Sequence, residues 1–197
     1  ELVALPERCL VKLPPGLDPV TASILACPIG VALHALRDVA RMKPGDVVLV
    51  TGAGGGLGIH ALQLAATLGA RAMAATSSPE KLDELEKYAP GDVVLGGERD
   101  FSEIVLALTE DRGADVVMET VGSATFVSSL RSLARFGRLV ALGEVEGKRV
   151  SFNLAEIIFR DAAVLGSSGA SRADIAEAVR LVTEGTVTPV ISHRVPL

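Results

Sequence analysis

The chain has 197 residues, of which 49% are hydrophobic and only 3% aromatic, and its formal net charge is −5. A chain of this length can bury one substantial core, and with so few aromatic residues that core must be aliphatic. The charge pattern has no basic run that would bind nucleic acid, and no apolar stretch is long enough to predict a membrane span. Two cysteines make no disulfide framework, so a reducing, cytoplasmic location is expected.

The chain divides into a long patterned region between two short edges. We interpret residues 1–26 as the edge of a second, substrate domain with its connector, and residues 27–189 as one α/β domain. Residues 190–197 are interpreted as a strand that returns to the second domain. The edges contain strand-like runs at 2–6 and 190–195, with no helical partner between them and the central region.

Six apolar runs alternate with helical patterns in the central region, which is typical of a doubly wound parallel sheet. Strands are predicted at 47–51, 71–76, 92–95, 115–119, 138–143 and 162–166, with helices following the first strand and at 79–88, 101–109, 123–134 and 174–184. Ligands of such sheets bind outside the carboxyl ends of the strands. The strand tips therefore outline one crevice, at Thr51, Thr76, Leu95, Glu119, Gly143 and Gly166.

A glycine turn from Gly52 to Gly58 joins the first strand to its helix. Such a turn brings backbone N–H groups close to a pyrophosphate, whose charge then lies at a helix N-terminus. The spacing is not a literal G-x-G-x-x-G, because counting from Gly52 puts Leu57 in the last position; counting from Ala53 gives an alanine variant that ends at Gly58. A flexible loop is the alternative, but the strand before the turn and the helix after it favour a dinucleotide site.

The end of the second strand bears on which dinucleotide is bound. NAD sites have an acidic residue at this position for the ribose hydroxyls, whereas here Ser77, Ser78 and Lys81 follow the strand. Two hydroxyls and an ammonium suit a 2′-phosphate, so the sequence favours NADP(H) over NAD(H). Ser78 before Pro79 also fits a helix N-cap with proline in the first turn, and both roles are compatible.

Five segments in this order resemble the medium-chain dehydrogenase/reductase superfamily, the zinc alcohol dehydrogenase and quinone oxidoreductase group. They are ACPIGVALHAL (26–36), MKPGDVVLV (42–50), TGAGGGLGIHA (51–61), ETVG (119–122) and GRLVALG (137–143). The chain is most similar to the acryloyl-CoA reductase and quinone oxidoreductase-like members. The resemblance implies a Rossmann cofactor domain, a GroES-like substrate domain before Glu1, and a homodimer paired through the strand near Val164.

The resemblance also implies the site residues. The pyrophosphate would be held by Gly55, Gly56, Leu57 and Gly58, and the 2′-phosphate by Ser77, Ser78 and Lys81. The nicotinamide would meet backbone groups of Val121, Gly122, Gly143 and Glu144, with Ser167 and Ser168 nearby. No catalytic residue is assigned in this stretch.

Cys27 falls where zinc-dependent members have a catalytic zinc ligand; the alternative is a small buried cysteine. His34, His60 and His193 have no carboxylate or cysteine at ligand spacing and are interpreted as surface or packing residues. Glu119 at its strand tip could act as a base or as a rim or capping residue.

The leading hypothesis is an oxidoreductase that transfers hydride between NADPH and an activated alkene, such as an enoyl thioester, or a quinone. A zinc-dependent alcohol dehydrogenase is the first alternative. A nucleotide-binding module without chemistry of its own is the second. The small-molecule substrate itself cannot be predicted from these residues.

Overall fold

A computed structural model describes residues 4–96 and 100–195 of the chain. Its centre is a six-stranded sheet in the order β3-β2-β1-β4-β5-β6, and every neighbouring pair of strands is parallel. The strands are β1 Val47–Val50, β2 Arg71–Thr76, β3 Val93–Leu95, β4 Ala114–Glu119, β5 Leu133–Ala141 and β6 Ala163–Gly166. The strand order reverses between β1 and β4, which places a crevice at their carboxyl ends. The predicted doubly wound sheet is confirmed.

The described part of the chain has eight α-helices that flank this sheet or precede it: α1 Pro19–Ala22, α2 Val31–His34, α3 Gly56–Thr67, α4 Leu82–Leu85, α5 Ser102–Leu108, α6 Phe126–Arg131, α7 Ala155–Ile158 and α8 Arg172–Thr183. Helix α2 lies between the π-helical turns Leu25–Gly30 and Ala35–Val39, and 3-10 turns occupy Glu7–Cys9 and Pro79–Lys81. Within the described residues, no helix is both long and apolar enough to cross a membrane.

The core has two layers because β1 is covered on both faces. Val48 and Val50 point into one layer, together with α3, α8 and the helical stretch 25–39. Val47 and Leu49 point into the other layer, where they join side chains of α5 and α6. A strand buried on both faces is continuously apolar, which is why the run at 47–50 lacks polar alternation.

Several predicted boundaries differ from the structure. The helix predicted at 123–134 extends only from Phe126 to Arg131, and β5 begins at Leu133 instead of residue 138. The cause is an irregularity in β5, because Leu133 pairs with Ala114 but Arg138 already pairs with Val116. Between these two pairs β5 advances by five residues and β4 by two, and Phe136 in that stretch has a left-handed conformation, with φ of 62°.

The predicted helix at 79–88 is also shorter, since the 3-10 turn Pro79–Lys81 leads into only four α-helical residues. The edges of the chain contain no strand over residues 4–6 or 190–195. Residues 2–3 of the first strand-like run and residues 196–197 of the second edge lie outside the described residues. The assignment of 1–26 and 190–197 to a second domain stays a prediction.

Helix α3 holds the segment that follows α8. The Gln63 side chain donates to the Thr188 carbonyl at 3.0 Å and accepts from the Thr188 N–H at 2.8 Å. The buried ring of His60 lies between the Gly56 carbonyl, 2.6 Å from Nδ1, and the Val190 N–H, 3.0 Å from Nε2. His60 is therefore a packing residue, one of the two roles predicted for it.

Ion pairs collect at the amino ends of the strands, opposite the crevice. The Arg138 guanidinium lies 2.8 Å from Asp46, which precedes β1. Arg71 at the start of β2 pairs with Asp92, which precedes β3. The first pair links β5 to the start of β1 across β4, and the second links the neighbouring strands β2 and β3, both at the end of the sheet that faces away from the predicted site.

Candidate nucleotide-binding site

The glycine turn brings the start of α3 to the carboxyl end of β1. Gly55 is the N-cap residue in an extended conformation, and no side chain caps the helix. Gly58 is needed for close approach, because a Cβ there would lie 2.4 Å from the Gly52 carbonyl oxygen. A Cβ on Gly56 would meet nothing within 4 Å, so there is open space in front of the first turn. Backbone N–H groups of a helix N-terminus facing open space are suited to a phosphate.

A mostly apolar cavity of about 220 Å³ lies beside this turn, at the ends of β1, β2, β3 and β4. It is lined by Thr51, Gly52, Ala75, Thr76, Ser77, Gly96, Phe101, Val121, Ala124 and Thr125. Only Ser77 and Val121 of the predicted site residues are among them. Sequence reasoning missed Phe101, Ala124 and Thr125, although the rule that ligands bind at strand ends indicated this edge of the sheet.

Three residues are predicted to hold the 2′-phosphate, and the first of them, Ser77, lines this cavity. Ser77 is exposed immediately after β2. Ser78 occupies an N-cap position before Pro79, but its side chain makes no capping hydrogen bond. The Lys81 ammonium donates to the Gly54 carbonyl at 2.6 Å, so this side chain lies against the glycine turn.

The four residues predicted to meet the nicotinamide also lie together. A Cβ on Gly122, which has φ of 96°, would be 2.7 Å from the Glu144 Cα. The Val145 N–H donates to the Val121 carbonyl at 2.9 Å, and the Gly143 N–H lies 3.3 Å from the Glu119 carbonyl. The loops after β4 and β5 are thus joined along one side of the crevice.

The Glu144 side chain is already engaged. Its carboxylate accepts from the Ser123 hydroxyl at 2.8 Å and from the backbone N–H groups of Ser123, Glu146 and Gly147. These hydrogen bonds lower the pKa of Glu144, and the bond from the Ser123 hydroxyl has the largest effect. Its side chain therefore orders the loop, which leaves the backbone for the predicted contact.

Ser167 and Ser168 follow β6 on the same side. The Ser167 N–H donates to the Ala141 carbonyl at 3.0 Å, so this residue lies beside the end of β5. Its Oγ is buried and has no hydrogen-bond partner among the residues that the structure describes. A buried hydroxyl of this kind is available to a ligand.

A family model described as zinc-binding dehydrogenase matches residues 56–184. The chain belongs to this family. This match confirms the family resemblance of the sequence. Zinc-binding dehydrogenases of the medium-chain superfamily are pyridine-nucleotide-dependent oxidoreductases.

This chain is similar to acryloyl-coenzyme A reductase of Metallosphaera sedula. The two are 39% identical over 198 residues, which cover 100% of this chain and 57% of the relative. The crystal structure of AibC superposes with a TM-score of 0.89 at 35% identity, over 92% of this chain and 51% of that one. The 2-octenoyl-CoA carboxylase reductase CinF, solved with NADP and 2-octenoyl-CoA, has a TM-score of 0.75 at 27% identity, over 82% and 41% of the two chains. The chain thus spans about half the length of these relatives.

The observed residues fit a dinucleotide cofactor of this family. Uncapped N–H groups of α3 face open space at Gly56, and the apolar cavity next to them ends at Ser77. The orphaned Ser167 hydroxyl lies across the crevice from that cavity, beyond β4 and β5. One elongated ligand with phosphates at its centre matches this order of features.

The metal predictions fare differently. Cys27 is exposed in the π-helical turn Leu25–Gly30, so the described residues do not bury it, and its role as a zinc ligand stays a prediction. His34 is not isolated, because its Nδ1 lies 3.2 Å from Asp38 and 3.3 Å from Asp174. Asp38 was visible four residues along the sequence, whereas Asp174 is brought in by α8. Arg37 forms ion pairs with both carboxylates of this cluster.

Proposed function

We propose that this chain is the cofactor-binding part of a reductase that transfers hydride from NADPH to an activated alkene, such as an enoyl thioester, or to a quinone. The observation that carries the NADPH assignment is the end of β2. The apolar cavity ends there at Ser77, and Ser78 and Lys81 follow in the next turn. The Ser78 hydroxyl makes no capping hydrogen bond, so helix capping does not account for this serine. Two hydroxyls and an ammonium attract a 2′-phosphate, which a carboxylate would repel.

Each part of the crevice has its own task in this proposal. The apolar cavity takes the adenine ring, and the first turn of α3 binds the pyrophosphate through backbone N–H groups. The loops that contain Val121, Gly122, Gly143 and Glu144 hold the nicotinamide ring, with the Ser167 hydroxyl available to its carboxamide. These residues bind and orient the cofactor and keep water from its reactive face.

NADPH, when bound, supplies the hydride, and a proton from a separate donor completes the saturated product. The names of the relatives support this substrate class: acryloyl-coenzyme A reductase, and CinF in complex with NADP and 2-octenoyl-CoA. Residues that contact the substrate are expected in the part of the protein that these longer relatives contain in addition.

Calorimetric titration of the 197-residue polypeptide tests the cofactor assignment. We expect NADPH to bind more tightly than NADH, and we expect no steady turnover of quinones or enoyl thioesters by this polypeptide alone. Tighter binding of NADH would contradict the NADP(H) assignment. If the whole protein binds NADPH but reduces neither substrate class, a nucleotide-binding module is the better description.

A zinc-dependent alcohol dehydrogenase is the second candidate, and the exposure of Cys27 supports it. A thiol at the surface of this chain can join ligands from elsewhere in the protein, whereas a buried one cannot. In the group around His34, the Arg37 guanidinium already forms ion pairs with Asp38 and Asp174, which disfavours a second cation there.

We also propose a homodimer through the edge of the sheet. Within residues 4–96 and 100–195, strand β6 is paired only on its β5 side, and Val164 in it is 40% exposed. Ile158 and Phe159 before this strand are 65% and 83% exposed. An unpaired apolar edge is normally covered by another strand, and sedimentation of the whole protein should therefore show a dimer.

A further inference from the structure

The buried carboxylate of Glu119 makes more side-chain hydrogen bonds than its position at a strand tip suggested. Glu119 ends β4, is 0% exposed, and accepts hydrogen bonds from five neutral donors. Its Oε1 accepts from the Thr51 hydroxyl at 2.8 Å, the Thr125 hydroxyl at 2.8 Å, and the N–H groups of Val121 and Gly122 at 2.9 Å each. Its Oε2 accepts from the Ser129 hydroxyl.

This arrangement is costly as a device for stability alone. Burying a carboxylate requires hydrogen bonds to replace its hydration, and an apolar side chain of similar size often serves a core better. Among the residues that the structure describes, no cationic side chain forms an ion pair with Glu119. What the carboxylate does provide is one fixed point to which donors from three segments converge.

Three of these donors belong to residues that line the apolar cavity: Thr51, Val121 and Thr125. Glu119 itself is not in the lining, so it lies behind the cavity wall. Thr120 strengthens the same junction, because its hydroxyl donates to the Thr51 carbonyl at 2.7 Å and its N–H to the Thr51 hydroxyl at 3.0 Å. The position of the loop after β4 relative to the end of β1, both of which line the cavity, is thus set through Glu119.

We propose that Glu119 is a positioning residue that shapes the cavity for the adenosine half of the cofactor. The proposal rests on the dinucleotide function above. It makes a distinction that a purely structural role would not make. The adenosine half of the ligand should depend more strongly on Glu119 than the nicotinamide half, because three donor residues line the cavity whereas only the N–H groups of Val121 and Gly122 belong to the loop proposed for the nicotinamide.

The test uses Glu119→Leu, which leaves the Val121 and Gly122 N–H groups without an acceptor, and Glu119→Asp, whose shorter side chain cannot reach all five donors. Binding of 2′,5′-ADP and NADPH is measured by calorimetry, and binding of reduced nicotinamide mononucleotide by its fluorescence. We expect both variants to lose about 10-fold or more in affinity for 2′,5′-ADP, because the cavity wall is no longer held in the shape that binds it. Binding of the mononucleotide should weaken less than binding of 2′,5′-ADP.

Glu119→Gln is the conservative variant, since its amide oxygen can still accept at the Oε1 position. It should restore 2′,5′-ADP affinity to within about 3-fold of wild type. Thr109→Val is the matched control: Thr109 is also buried, donates to the Val105 carbonyl at 2.8 Å and accepts from the Gly113 N–H at 2.9 Å, but it does not line the cavity. This control should lower the melting temperature without a change in 2′,5′-ADP binding.

If Glu119→Leu does not fold, Glu119→Asp carries the test. Wild-type affinity for 2′,5′-ADP in the aspartate variant would overturn the proposal, and so would equal losses for 2′,5′-ADP and the mononucleotide. Wild-type protein that binds neither NADPH nor 2′,5′-ADP would refute the dinucleotide function itself.

Discussion

The Lys81 Nζ lies 2.6 Å from the carbonyl oxygen of Gly54, so the turn after β2 is fastened to the glycine turn after β1. A Cβ on Gly54 would be 2.4 Å from the Lys81 Cδ, which shows how closely the side chain lies on the turn. Lys81 follows Ser77, which lines the cavity, by four residues. The Lys81 ammonium therefore donates to the protein backbone and is also proposed to bind the 2′-phosphate.

Replacing Lys81 by Ala should weaken NADPH binding by roughly 10- to 150-fold, because a hydrogen bond to a charged group contributes about 1.5 to 3 kcal/mol. NADH binding should be nearly unchanged. Calorimetry with both cofactors measures the difference. Lys87→Ala is the matched control, since Lys87 is exposed beyond α4, and it should affect neither cofactor. Equal losses for both cofactors at Lys81 would mean that the lysine only supports the glycine turn.

Replacing Ser77 by Asp should reverse the cofactor preference. The exposed Ser77 borders the cavity at the end of β2, where a carboxylate can accept from ribose hydroxyls and repels a phosphate. Dissociation constants of NADH and NADPH, measured side by side, give the preference. An aspartate variant that still prefers NADPH would show that the 2′-phosphate lies elsewhere.

Gly58 and Gly56 should separate folding from binding. Gly58→Ala places a methyl group against the Gly52 and Ala53 backbone and should lower the free energy of unfolding by about 1–3 kcal/mol. Gly56→Ala meets nothing in the protein and should leave stability unchanged or slightly higher, but its methyl group occupies the space proposed for the pyrophosphate and should weaken NADPH. Denaturant unfolding and calorimetry of both variants check this. Undiminished NADPH binding by Gly56→Ala would contradict the proposed position of the pyrophosphate at the start of α3.

Cys27 decides between the two enzyme classes. If it is a zinc ligand, the whole protein should contain about one zinc per site, and Cys27→Ser should remove both metal and activity. Cys9→Ser is the control, because Cys9 is an equally exposed thiol in the preceding segment. Zinc-free protein with full activity would leave the reductase without metal as the surviving candidate.

His60 should make stability depend on pH. Burial lowers the pKa of His60, and its hydrogen bonds require the neutral ring, with Nδ1 donating to Gly56 and Nε2 accepting from Val190. Because the folded pKa lies below the unfolded value of about 6.5, this stabilisation is present above that value and is lost as the pH falls toward the folded pKa.

Denaturant unfolding between about pH 7.5 and 5 measures this loss, since it spans the unfolded histidine pKa. His60→Gln should flatten the slope of stability against pH. The exposed His193→Gln should leave the slope as in wild type. Parallel slopes for wild type and His60→Gln would contradict the assignment.

The sheet was predictable because its strands are apolar runs with turns between them, and β1 through β6 all appear where such runs lie. The start of β5 could not be predicted in the same way. No residue pattern in the sequence indicates the left-handed conformation of Phe136 or the shifted register at Val116. Predicted site residues near the glycine turn follow from local spacing. The role of Glu119 does not, because its donors arrive from residues 51, 121, 122, 125 and 129, and only the fold assembles them.

The ion pairs of Arg138 with Asp46 and of Arg71 with Asp92 lie at the edge of the sheet opposite the crevice. The molecule thus keeps the charges that hold its strands together apart from the groups proposed to hold its ligand. Engineering for heat resistance can begin at that far edge, where a changed side chain does not touch the cofactor. Redesign of cofactor choice can likewise proceed at the end of β2 without loosening these pairs.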